Sequence, residues 1–344
     1  MNLSKCRCVK CGQNSWLTYS TYWECQGCKH RYSCTNGMPR LYLESDLGSE
    51  DKALRDYFYN GLLGTYYQFI MPFLVLPARP LRISWKGWLV YFLIVAILIA
   101  AIGVTVKAVI FGMAGATTKW LVAASVATLL GSGYFFYRHP YLLYLLLIAV
   151  PVKISLLFNR FRSAKSFPEI HNEVIERLQQ RSDRLQVLDI STGTCNSLYR
   201  HGWMKLNADY AGLDLSETML SQGQEFMARA QAPVDFVLGD AQRLPFVDGA
   251  FDVVLNYGAL NGYADAATAL SEMARVAKPG GVILFLDEQL YDSASRIEEF
   301  YFRRVLSSHN VIHHCPVELM PSNLKDVNVH QVYQFYYICT AVKT

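Results

Sequence analysis

Apolar positions are spread unevenly along the chain. Gly87 to Val106 holds 20 residues without a charge, between Lys86 and Lys107. About 20 apolar residues cross a bilayer core, so this run predicts a membrane-spanning helix. Trp85 and Trp88 sit at one end of it, as interfacial anchors do. Trp120 to Tyr137 adds 18 uncharged residues between Lys119 and Arg138 and predicts a second span. Residues 141–158 are also apolar but carry Pro151 and Lys153, which fits a third span or a helix lying in the interface. Basic residues flank the region on both sides, at Arg79, Arg82 and Lys86 and again at Arg160, Arg162 and Lys165. Both flanks are therefore expected on the cytosolic side. An even number of spans follows: a hairpin over 81–163, or four spans if 62–78 also crosses.

After this region the pattern changes to short apolar runs alternating with amphipathic segments. Strands are predicted at 185–190, 210–216, 234–240, 251–258 and 282–288, with two more near 309–315 and 329–341. Helices are predicted at 168–182, after Thr194, at 217–230, at 265–277 and near 294–308. This alternation predicts a mostly parallel sheet covered by helices on both faces, a Rossmann-like α/β fold over 166–344.

Polar residues end consecutive strands: Asp189, Asp214, Asp240, Asn256 and Asp287. Ligands of open parallel sheets bind beyond those carboxyl ends. The loop after the first strand reads VLDISTGTCN over 187–196. A dinucleotide loop needs three spaced glycines so that the backbone can approach a pyrophosphate. This loop keeps Gly193 but has Ser191 and Cys195 at usual glycine places. S-adenosylmethionine carries no phosphate. It needs one close backbone approach, an acid for the ribose hydroxyls and a polar group near the adenine amine. Gly193, Asp214 and Asp240 meet those needs.

Four segments in order, VLDISTGTCN, YAGLDLSETML, VLGDAQRLPFVDGAFDVVLNYGALN and MARVAKPGGVILFLDE, resemble the motifs of class I S-adenosylmethionine-dependent methyltransferases. The similarity is strongest to the group that includes the ubiquinone/menaquinone and sterol methyltransferases. It extends to YYICTAVK at the end of the chain and implies a seven-stranded methyltransferase sheet. By that resemblance Asp214 and the following Leu215 hold the ribose, Asp240 and Ala241 face the adenine, and Gly193 lines the methionine part. Ser191 belongs to the same loop, which Asp189 organises. Asn256 and Tyr257 lie beside the transferable methyl. The family's lid helix, roughly Y-D-x-x-A-x-x-Y-D, has a counterpart at 59–72 with Tyr59 and Tyr66, within a helical segment over 50–80. No general base is singled out; Tyr257, Tyr263, Asp287, Glu288, His313 and His314 are the candidates. Cys195 is expected to be a packed thiol, with a reactive one as the alternative.

The 344-residue length allows about two domains. Charged residues make up 17%, against about 25% in ordinary soluble domains, which agrees with a membrane segment. Six of the nine cysteines fall between positions 6 and 34. The polar start MNLSKCRCVK has no apolar leader and is expected on the reducing, cytosolic side, where clustered cysteines favour metal over disulfides. Cys8-x2-Cys11 and Cys25-x2-Cys28, 13 residues apart, have the spacing of a zinc ribbon over 1–44. Four thiolates close the coordination shell, so the expected Zn2+ is structural. Cys6, Cys34 and His30 are spare ligands. The ribbon is expected either to dock a protein partner or to brace the lid.

With a net charge of +4 and no basic, aromatic-interleaved patch, nucleic acid is not the expected partner. The leading expectation is an integral-membrane methyltransferase acting on a lipid-like acceptor: a quinone, a sterol-like lipid or a phospholipid. The alternatives are a zinc-ribbon RNA methyltransferase and a membrane-tethered cofactor-binding scaffold without catalysis.

Overall fold

The computed structural model describes residues 5–61 and 167–344, apart from 293, 295, 308, 309, 333 and 334, together with Gly64 and scattered positions between 96 and 134. The chain divides into two compact units, Met1–Gln68 with Phe161–Thr344, and Phe69–Arg160. The expected spans at 87–106 and 120–137 and the apolar run 141–158 lie outside the described residues, save scattered positions. Among the described residues no helix is long and apolar enough to cross a membrane. Most of the lid helix expected at 59–72, including Tyr66, also lies outside them.

The first unit opens with a small antiparallel sheet of four strands in chain order: β1 (Trp16–Thr18), β2 (Tyr22–Cys25), β3 (Arg31–Thr35) and β4 (Met38–Pro39). Asn36 and Gly37 join the last two strands, with φ of 50° and 77°. Two left-handed residues make the tight turn whose twist suits a hairpin, and Asn-Gly is the pair that adopts it most cheaply. Trp16 packs edge-on to Trp23 and to Tyr32, with ring centroids 5.8 and 5.7 Å apart. A short helix follows, α1 (Ser49–Ala53), widening into a π-turn over Leu54–Tyr59.

The larger sheet follows from the alternating pattern. After α2 (Phe167–Gln179) come β5 (Leu185–Ile190), α3 (Asn196–Arg200), β6 (Ala208–Asp214), α4 (Glu217–Arg229) and β7 (Asp235–Leu238). Then follow β8 (Phe251–Tyr257), α5 (Ala266–Val276), β9 (Ala277–Glu288), α6 (Arg296–Tyr301), β10 (Leu324–Val332) and β11 (Tyr336–Lys343). The seven strands run in the order β10-β11-β9-β8-β5-β6-β7. β5 pairs in parallel with both β6 and β8, while β11 is antiparallel to its two neighbours. The chain builds outward from β5 through β6 to β7, then restarts on the other side with β8. Right-handed crossovers therefore put α3 and α4 on one face and α5 on the other. The reversal between β5 and β8 opens a crevice at their carboxyl ends. The central strands are buried on both faces, with Val187, Leu188, Val253, Val254 and Leu255 fully enclosed.

Two expected strands are corrected. Of the strand expected at 309–315, the described residues 310–315 form none, because the Val311 and Ile312 amides both donate to the Asn261 carbonyl, at 2.8 and 3.1 Å. Their donors are spent on a turn and cannot join a sheet edge. The run 329–341 is two strands of a hairpin, and its first strand begins earlier, at Leu324.

The small sheet packs on the large one. Leu41 N–H donates to the Leu238 carbonyl at 2.7 Å, continuing the exposed edge of β7. Arg7 N–H donates to Pro245 O at 3.0 Å, and Val247 N–H to Lys5 O at 2.8 Å. Covering an edge strand this way leaves few open donors there for another chain. Cys6, Met38, Leu41 and Phe246 are fully buried, so one core is shared by both sheets.

Candidate active site

The loop leaving β5 is held by Thr192. Its hydroxyl donates to Asp189 Oδ2 at 2.5 Å and lies 3.1 Å from Cys195 Sγ, while Cys195 N–H donates to Thr192 O at 2.8 Å. Ser191, Gly193 and Cys195 all have left-handed φ, of 54°, 53° and 58°. The backbone thus keeps the shape of a glycine loop even where glycine is missing, at a cost of roughly 1 kcal/mol for each side chain. At Gly193 an added Cβ would sit 3.2 Å from Met219 Cε, so that flexible side chain would have to give by a few tenths of an ångström. Ser191 Oγ lies 2.6 Å from Tyr263 Oη, which anchors its strained position. Cys195 is fully buried, and burial pushes its thiol well above the usual range. A thiol so held is a poor nucleophile.

Asp214 ends β6. Its Oδ2 accepts the Gly193 N–H and its Oδ1 accepts the Ser216 N–H, each at 2.8 Å. A carboxylate has about four acceptor sites, so lone pairs remain for a pair of hydroxyls. Leu215 beside it is half-buried. Ser216 caps α4 by accepting from Met219 N–H at 3.2 Å. Beyond β7, Asp240 Oδ1 accepts the Gln242 N–H at 2.8 Å, and Ala241 is buried next to it. Burial pushes both Asp214 and Asp240 above the usual carboxylate range.

Two buried polar atoms, Asp189 Oδ1 and Asn256 Oδ1, have no hydrogen-bond partner among the described residues. Both belong to strand ends that flank the crevice. Burial, with the neighbouring Asp214 charge adding to it, pushes Asp189 up to about 7. Asn256 Nδ2 donates to Tyr263 Oη at 2.8 Å. Orphaned acceptors at such a place fit a ligand that brings cationic or hydroxyl donors.

A third group was not legible in the sequence. Trp203 Nε1–H donates to Tyr257 Oη at 2.6 Å, and His171 Nε2 lies 2.9 Å from the same oxygen. The indole can only donate, so the phenol proton is left to reach His171. His171 stacks on His201 with centroids 4.7 Å apart. Burial, with His171 alongside, holds His201 well below the usual imidazole range, and burial pushes Tyr257 well above its own. The group is assembled from α2, the end of α3 and the tip of β8, with no motif linking the histidines.

The remaining candidate bases lie elsewhere. Asp287 is buried and accepts the amides of Asn261 and Glu288, both at 2.9 Å. Glu288 Oε2 accepts from Asn310 Nδ2 at 3.0 Å. His313 and His314 are exposed, and His314 Nε2 sits 3.0 Å from Glu318. Tyr59 is half-buried in the turn after α1. Its neighbour Asn60 reaches the site: Ser216 Oγ donates to Asn60 Oδ1 at 2.7 Å.

In the small sheet, the ligand atoms of Cys8, Cys11, Cys25 and Cys28 all lie within 4.8 Å of one another. The pairs Cys8–Cys28 and Cys11–Cys25 are 3.6 and 3.5 Å apart, and all four thiols are free. Sulfurs about 3.8 Å apart are what a tetrahedral shell with Zn–S near 2.3 Å requires, so this donor set fits zinc.

The crevice therefore offers a close backbone approach at Gly193, hydroxyl acceptors at Asp214, a polar edge at Asp240 and orphaned acceptors at Asp189 and Asn256. A family model described as a methyltransferase domain matches residues 188–285, which hold all of these. The demethylmenaquinone methyltransferase of Geobacillus kaustophilus is 32% identical over 161 residues, covering 45% of this chain and 68% of its own length. That of Shouchella clausii is 32% identical over 162 residues, covering 42% and 69%. Among solved structures, a Haemonchus contortus phosphoethanolamine N-methyltransferase overlaps with a TM-score of 0.42 at 16% identity, over 51% of this chain and 52% of that one. The chain belongs to the demethylmenaquinone methyltransferase family of S-adenosylmethionine-dependent methyltransferases.

Proposed function

We propose that the enzyme methylates a ring carbon of an isoprenoid hydroquinone drawn from a bilayer. The observation that carries this reading is the 32% identity with demethylmenaquinone methyltransferases over 161 and 162 residues. S-adenosylmethionine, when bound, supplies an electrophilic methyl on a sulfonium sulfur. Asp214 would accept its ribose hydroxyls, and Asp240 would face its adenine. Asp189 and Asn256 offer acceptors to its methionine end. A hydroquinone carbon becomes nucleophilic once a phenolic proton leaves, and that proton goes, in this reading, to the Tyr257–His171 pair. Positioning supplies most of the remaining rate, since the leaving sulfur is already activated.

In the same reading the enzyme is membrane-bound on the cytosolic face through the uncharged runs at 87–106 and 120–137. A lipid acceptor then enters sideways without leaving the bilayer. The four cysteines hold a structural Zn2+.

The experiment is a product assay in detergent with S-adenosylmethionine and a short-chain demethylated naphthoquinone, run with and without reductant. Ring-methylated product is expected with the reduced form alone. Absence of product from either redox form would remove the quinol as acceptor.

A further inference from the structure

We infer that residues 40–61, the strap leaving the ribbon, clamp the cofactor-binding loops, and that metal in the ribbon thereby sets cofactor affinity. This rests on the zinc reading above. The strap touches both sides of the pocket. On the ribose side, Arg40 Nη2 donates to Glu217 Oε2 at 2.8 Å, and Asn60 Oδ1 accepts from Ser216 Oγ at 2.7 Å. Glu217 and Ser216 directly follow the turn held by Asp214. On the adenine side, Gln242 Nε2 donates to Asp51 Oδ2 at 3.1 Å, and Arg243 pairs with Asp46. Gln242 is also the residue whose amide caps Asp240, and its Oε1 accepts the Asp265 N–H at 2.8 Å.

The strap is fixed in turn by the ribbon. Arg40 N–H donates to Ser33 O at 2.8 Å, so the strap begins as a direct continuation of β4. Tyr42 Oη accepts from Arg40 Nη1 at 2.9 Å, and Arg55 closes the strap on itself through Glu44 at 2.8 Å. The ribbon's core is small and partly shared with the large sheet, so its thiolate site is what fixes the end of β4 from which the strap leaves. Without that anchor, loops 214–217 and 240–243 lose four side-chain partners and keep the bonds made by Asp214, Asp240 and Asp265. Binding then costs the entropy that the strap now removes in advance.

The test measures S-adenosylhomocysteine affinity by calorimetry on the full chain, beside metal content by mass spectrometry. Limited proteolysis within residues 5–39, mapped by mass spectrometry, reports the ribbon. Stripping metal with a chelator is expected to unfold the ribbon and weaken binding at least tenfold, with far-UV dichroism of the large sheet retained. A double variant, Arg40→Ala with Asn60→Ala, is expected to keep its metal and bind about fivefold or more weakly. Affinity within twofold of wild type after the ribbon has unfolded would overturn the clamp. If the purified protein carries no metal and the ribbon is folded, the zinc reading fails by itself. The double variant then decides the strap, and unchanged affinity would refute it.

Discussion

The Gly193 amide donates to Asp214 Oδ2 across 2.8 Å, tying the loop after β5 to the carboxylate that ends β6. Asp214 Oδ1 holds the start of α4 through Ser216 in the same way. One carboxylate therefore shapes both walls of the cofactor crevice before any ligand arrives. Replacing it with asparagine turns one acceptor into a donor facing an N–H. Asp214→Asn should cost about 2 kcal/mol of binding, roughly 30-fold in Kd for S-adenosylmethionine. Calorimetry checks this, and an affinity within threefold of wild type would remove Asp214 from the cofactor's contacts.

Asp189 gives a pH signature. Its carboxyl is buried and pushed up to about 7, far above its unfolded value near 4. Between those two values the folded state binds more protons than the unfolded one, so this group's contribution to stability falls as pH rises. Asp189→Asn stays neutral throughout. Its stability relative to wild type should grow between pH 5 and pH 7.5, read from urea midpoints. A difference that does not change with pH would show that Asp189 is ionised in the fold.

Cys195 tests the loop's departure from glycine. Cys195→Gly relieves a left-handed φ of 58° but removes a fully buried thiol. The two effects are each about 1 kcal/mol and oppose one another. Stability should change by less than about 1 kcal/mol, and cofactor affinity by less than twofold. Iodoacetamide should label Cys195 slowly in the folded enzyme. Rapid labelling with loss of activity would point to a reactive thiol instead.

Tyr257 tests the proton path. Tyr257→Phe leaves the Trp203 indole N–H and His171 Nε2 without the oxygen they share. Removing one partner of a buried bond costs about 1–3 kcal/mol, so the variant should be measurably less stable. Its kcat should fall at least tenfold with KM for the cofactor little changed, and His171→Gln should shift the pH profile. Loss of stability with kcat preserved would make the group structural only.

Much of this was legible in the chain itself. β5, β6 and β8 are mostly apolar runs with a polar residue at or next to the carboxyl end, close to the pattern that strands buried on both faces impose. Asp189, Asp214, Asp240 and Asn256 stand where that pattern put them, at the carboxyl ends or in the turns that follow. The cysteine spacing likewise anticipated four sulfurs in one place. Other features needed coordinates. Val311 and Ile312 look strand-like because they are apolar and β-branched, yet their amides belong to Asn261. The His171–Tyr257 group joins positions 86 residues apart. The strap's bonds to Ser216 and Gln242 cross 156 and 191 residues, and nothing in local periodicity encodes them.

The acceptor is the central claim, and one labelling experiment addresses it most directly. The enzyme is incubated with methyl-labelled S-adenosylmethionine and native membranes kept reducing, and lipid, RNA and protein fractions are then separated. Label is expected in the lipid fraction, comigrating with a ring-methylated quinone and reduced with Asp214→Asn at cofactor concentrations below the variant's Kd. Label confined to RNA or protein would contradict the account.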